Sequence, residues 1–141
     1  SVHLGIDMRH PDAGALAAMA AALGEAHQGL EGFDGTLEEI WYSPPTIFDS
    51  ACVAAVRGAA EALGASYREI TSGAGHDAKY MADICPSAMV FIPCRDGISH
   101  NEIESAEPAH ATIGADVLLL AVLEKAQELP LNRQRQLADL V

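Results

Sequence analysis

Apolar Val2, Leu4, Ile6 and Met8 alternate with His3, Gly5, Asp7 and Arg9. A period of two predicts a half-buried strand with Asp7 and Arg9 on its polar face. Pro11 and Asp12 open a helix predicted over Ala13 to Gln28, where Leu16, Met19, Ala20 and Leu23 recur at helical spacing. Gly29 and Gly32 end it. A second strand is expected from about Thr36 to Ser43, anchored by Leu37, Ile40 and Trp41, with Trp41 read as a packed aromatic. Ser43-Pro44-Pro45 breaks that strand, because consecutive prolines cannot continue a central ladder.

Beyond the prolines the pattern restarts. Asp49 caps a helix expected from Ser50 to Leu63, Gly64 stops it, and Val53, Val56, Ala60 and Leu63 form its buried stripe. A short strand, Ser66 to Thr71, delivers the loop Ser72 to His76. A helix from Asp77 to Ile84 follows. The apolar run Ala88-Met89-Val90-Phe91-Ile92, bracketed by Pro86 and Pro93, reads as a strand buried on both faces. The last long helix is predicted from Pro108 to Gln127. Its middle, Val117 to Leu123, is apolar all round and is expected to be largely covered. Pro130 sets off a short amphipathic tail, Leu131 to Leu140.

Strand and helix signals therefore alternate on both sides of the proline pair, which predicts an α/β chain with a mainly parallel sheet. The domain boundary falls there, giving segments 1–43 and 44–141.

Two Gly-flanked loops surround the central run, and each ends in a histidine. The first carries Gly73, Gly75 and His76; the second runs from Cys94 to His100. The second leaves the carboxyl end of the expected strand, the edge where open α/β sheets place ligands. Small residues in the first let a ligand approach the backbone. Two histidines at one sheet edge point to a metal or carboxylate site. A single loop histidine is usually an ordinary surface residue, however, and neither HExxH nor CxxC is present. The residues alone lead to an α/β domain with a polar site.

Composition narrows the partners. The 141 residues are half apolar, and the net charge is −12. That charge argues against nucleic acid and against an anionic membrane surface. A small anionic substrate needs local positive groups, which Arg9 and a bound metal would supply. Cys52, Cys85 and Cys94 are odd in number and widely spaced, so reduced thiols with packing roles in a cytoplasmic protein are expected. No apolar run approaches membrane-spanning length.

The motifs S-G-A-G-H-D-A and M-V-F-I-P-C-R-D-G-I-S-H-N-E-I-E closely resemble the closing part of the M20-type metal-dependent amidohydrolases. The nearest branch is that of the N-carbamoyl-L-amino-acid hydrolases, allantoate amidohydrolases and β-ureidopropionases. The opening I-D-M-R-H-P-D resembles the last part of their lid, or dimerisation, domain. The resemblance implies the carboxyl-terminal portion of such an enzyme: the tail of an α+β lid in 1–43 and the tail of a layered catalytic domain in 44–141. It implies a binuclear centre of zinc, manganese or cobalt, with His100 as one metal ligand. It implies that Gly75 and His76 contact substrate near the scissile bond, and that Arg9 reaches the substrate carboxylate, often across a homodimer interface. A guanidinium fork suits that task because it bonds both carboxylate oxygens. Asp96 and Glu104 are both candidates to orient the His100 ring. The catalytic base is expected outside this chain, so no residue here is assigned that role and the chain alone is expected to be inactive. The implied substrates are small ureides or N-carbamoyl amino acids. The alternatives are a fragment of an M20 aminoacylase or peptidase, or a non-catalytic association module.

Overall fold

Four helices carry the regular structure of the computed structural model, which describes residues 1–127. The expected tail Leu131 to Leu140 lies outside the described residues. By internal contacts the chain divides into two units: Ser1–Ile47 with Ile70–Gly75, and Phe48–Glu69 with His76–Val141, the latter as far as it is described.

In the first unit, α1 spans Ala13–Gln28 with the bounds its pattern predicts. The Asp12 carboxylate accepts the N–H of Ala15 at 2.7 Å, satisfying a donor that the first turn leaves without an intrahelical partner. Gly29 caps the other end with φ −80°, so the left-handed turn comes only at Gly32, φ 77°. None of the α1 residues is buried, including the expected stripe.

The second unit holds the core. Here α2 (Ser50–Ala62) starts at Asp49, whose side chain accepts the N–H of Cys52 at 2.8 Å. It ends in a Schellman turn. Gly64 takes φ 65°, its N–H donates to the Glu61 carbonyl, and the N–H of Ala65 donates to that of Ala60. The short α3 runs Asp77–Ala82, two residues less than expected, and α4 runs Pro108–Gln127. Ala55, Ala59 and Ala60 of α2 pack against Val117 and Ala121 of α4, with Val56, Ala65 and Val90 at the margin. The buried stripe is thus turned toward the alanines, because small side chains let two helices come close. Gly114 of α4 meets Ile92 so closely that a β-carbon there would overlap Ile92 Cγ2.

Several expectations are corrected. Among the described residues no β-ladder forms, and the segments expected as strands, Val2–Met8, Thr36–Ser43, Ser66–Thr71 and Ala88–Ile92, have no regular structure. A strand satisfies its backbone only against a neighbour at ladder spacing, and these segments do not supply one to each other. Consequently Ala88, Met89, Val90 and Ile92 are half-buried and Phe91 is exposed, rather than enclosed on both faces. Trp41 is 74% exposed rather than packed. The middle of α4 is not covered all round: Leu118, Leu119, Val122 and Leu123 are exposed beside buried Val117 and Ala121.

Candidate functional site

In the second unit His76 and His100 come together. His76 sits at the N-cap of α3 and is half-buried, without a side-chain capping bond to that helix. Its ring meets Phe91 edge-on at 5.4 Å between centroids, and the His100 ring at 6.2 Å. The sequence-predicted pair is therefore brought together, across the apolar run that separates the two loops.

The His100 loop is tightly wound. Asp96, Gly97 and His100 all have left-handed backbone, with φ 55°, 69° and 57°. Glycine adopts that conformation freely, and Asp and His are among the few other residue types enriched there. The Glu104 carboxylate accepts the His100 backbone N–H at 2.7 Å, which helps hold the turn. Its other oxygen accepts from the Cys94 thiol at 3.6 Å. Burial, then the hydrogen bond to Glu104, pushes the Cys94 thiol pKa up, so it remains a neutral donor rather than a nucleophile. The ends of the loop are joined by the Arg95 N–H to the Ser105 carbonyl at 2.7 Å and by the Arg95–Glu107 ion pair at 3.2 Å. Glu104, one of the two acidic candidates beside His100, thus acts on its backbone N–H. The pattern S-H-N-E-I-E shows the proximity but not which atom is engaged.

In the first unit Arg9 is bound by Asp7. Its Nε lies 3.1 and 3.0 Å from the two carboxylate oxygens, and Nη2 donates to the second. The hydrogen bond to Arg9 is the main cause of a lowered Asp7 pKa, and the same bond raises that of Arg9. Arg9 Nη1 donates to the carbonyl of Gly73. That acceptor is a backbone atom, for which the sequence carries no signal. A β-carbon at Gly73 or Gly75 would meet nothing within 4 Å, so the backbone of this loop is open to approach.

The three cysteines are free thiols. Among the described residues no three His, Cys, Asp or Glu side chains come close enough to hold a metal ion. Nor is any described helix long and apolar enough to cross a membrane.

A model of the peptidase family M20/M25/M40 matches residues 34–124, more than half of the chain. The chain belongs to that family. It is 43% identical over 125 residues to the N-carbamoyl-L-amino-acid amidohydrolase of Rhizobium meliloti, covering 86% of this chain and 30% of that protein. It is 32% identical over 124 residues to the allantoate amidohydrolase of Escherichia coli, with the same coverages of 86% and 30%. It also matches the crystal structure of a hydantoinase/carbamoylase family amidase from Burkholderia vietnamiensis. The TM-score is 0.74 at 56% identity, over 82% of this chain and 29% of that one. This likeness is consistent with the α/β class expected from sequence. The chain spans less than a third of the length of these relatives.

Proposed function

We propose that this chain is the carboxyl-terminal portion of a binuclear-metal amidohydrolase. The whole protein cleaves linear C–N bonds of N-carbamoyl amino acids or allantoate. The observation that carries the reading is the convergence of His76 and His100, centroids 6.2 Å apart, on loops whose motifs resemble those of the amidohydrolases. The likeness to relatives named for N-carbamoyl-L-amino acids and for allantoate supports the same substrate class.

The roles divide by chemistry. Arg9 bonds the substrate carboxylate through its planar fork. Gly75 leaves room for the substrate backbone, and the His76 ring donates to the oxygen on which charge develops at the scissile group. His100 is one ligand of a divalent metal, zinc, manganese or cobalt. One histidine is too few to hold a hydrolytic ion, and the described residues bring no group of three ligands together. In this reading the remaining ligands and the catalytic base belong to other parts of the whole protein. Residues 1–43 are the tail of an α+β lid through which the protein forms a homodimer, and 44–141 the tail of the layered catalytic domain. Free thiols suit a cytoplasmic location.

The test is a substrate panel. The whole protein is expected to hydrolyse N-carbamoyl amino acids or allantoate in a metal-dependent manner, and the 141-residue chain to be inactive on both. Preference for dipeptides would favour a peptidase instead. Metal-dependent turnover by the 141-residue chain alone would overturn the division of the site.

A further inference from the structure

Asp7 and Arg9 stand two positions apart in the opening segment. Both are largely exposed, with side-chain accessibilities of 66% and 62%. An exposed ion pair contributes little to stability and is screened by salt. This pair is nevertheless built in detail. Nε and Nη2 of Arg9 both donate to the Asp7 carboxylate, and Nη1 donates to the Gly73 carbonyl, 64 positions along the chain. A free arginine side chain samples many rotamers; anchored on two sides, the guanidinium has one orientation.

The donor inventory shows what that orientation leaves available. A guanidinium carries five N–H groups. The contacts to Asp7 and Gly73 engage the Nε hydrogen and one hydrogen on each terminal nitrogen. Among the described residues one N–H on each terminal nitrogen is left unengaged. Two such donors suffice for the two oxygens of an incoming carboxylate. The Asp7 hydrogen bond also favours the charged form of Arg9.

We propose that Asp7 is a positioning residue. Together with the Gly73 carbonyl it fixes the guanidinium of Arg9 so that the remaining N–H groups receive the carboxylate of an amino-acid-derived substrate. The inference rests on the reading of Arg9 as the carboxylate clamp. It adds that the carboxylate already bound to Arg9 assists the substrate rather than competing with it.

Steady-state kinetics of the whole, metal-loaded protein test it. The variants are Arg9→Ala, Asp7→Ala and Asp7→Asn. The probes are an N-carbamoyl amino acid and its carboxamide, which lacks the carboxylate. Asp7→Ala is expected to raise KM for the acid about tenfold, the effect of weakening one charge-assisted hydrogen bond, with kcat little changed. KM for the carboxamide is expected to stay unchanged. Asp7→Asn, which keeps an acceptor beside Nε, is expected to restore most of the affinity. An unchanged KM in Asp7→Ala overturns the proposal, and a lowered KM overturns it by showing competition. If Arg9→Ala raises KM for the acid while Asp7→Ala does not, only the role of Asp7 fails. If Arg9→Ala leaves KM unchanged, the clamp reading itself fails. Should Asp7→Ala not fold, Asp7→Asn and Asp7→Ser carry the test: KM rising from wild type through Asn to Ser supports positioning, and equal values overturn it.

Discussion

The imidazole rings of His76 and His100 meet edge to face, with centroids 6.2 Å apart and planes at 79°. The two have different proposed tasks, and mutation separates them. In the whole protein His100→Ala is expected to lower metal content, because water replaces a lost histidine ligand poorly. His76→Ala is expected to keep the metal and lower kcat by about 10²–10³, the usual cost of removing one donor to a developing oxyanion. Metal analysis with steady-state kinetics checks both. Normal metal content in the His100 variant would remove the centre of the functional reading.

Gly114 lies directly against Ile92. Gly114→Ala is therefore expected to destabilise the fold by about 1–3 kcal/mol, although alanine is the better helix former elsewhere. Adding Ile92→Ala is expected to recover part of the loss by opening space, so the two changes are non-additive. A double-mutant cycle read by thermal unfolding decides. A stabilised Gly114→Ala variant would mean that the helix and the apolar run do not approach so closely.

Gly64 ends α2 at φ 65°. A β-carbon there incurs the left-handed penalty, so Gly64→Ala is expected to cost about 1–2 kcal/mol. Gly64→Asn is expected to cost less, since asparagine tolerates that backbone. Equal melting temperatures for all three would contradict the Schellman turn.

The N–H of Cys52, hydrogen-bonded to Asp49, holds the Asp49 carboxyl below its ordinary range. A depressed folded pKa contributes stability that is present above the unfolded value of about 3.9 and is lost as pH falls through the folded value. Acid is therefore expected to weaken the start of α2. Asp49→Asn keeps the cap but removes the titration, and is expected to flatten the pH dependence of unfolding below about pH 4. An unchanged acid limb in that variant would rule out this carboxylate as its source.

The helices were legible from local information. Asp12 and Asp49 as caps, Gly64 as a stop and the helical spacing of apolar residues set α1 to its predicted bounds, α2 to within a residue and α4 to its predicted start. These features act within one turn of chain, where sequence neighbours are spatial neighbours. The two histidines were also legible, because their Gly-flanked loops bracket one short apolar run. The sequence by itself thus determined the helices, the loops and the residue types with site chemistry.

Tertiary structure decided what each of these touches. Alternation at Val2–Met8 and the apolar run at Ala88–Ile92 predict strands, yet a strand exists only beside another, and no ladder forms among the described residues. Leu118, Leu119, Val122 and Leu123 are apolar enough to be buried but lie exposed, because burial depends on what packs against a face and not on the face alone. The same holds at the polar sites. The proximity of Glu104 to His100 is written in the sequence, but its choice of the backbone N–H follows from the left-handed turn. The second acceptor of Arg9 is a carbonyl 64 positions away, which only the folded path of the chain brings within reach.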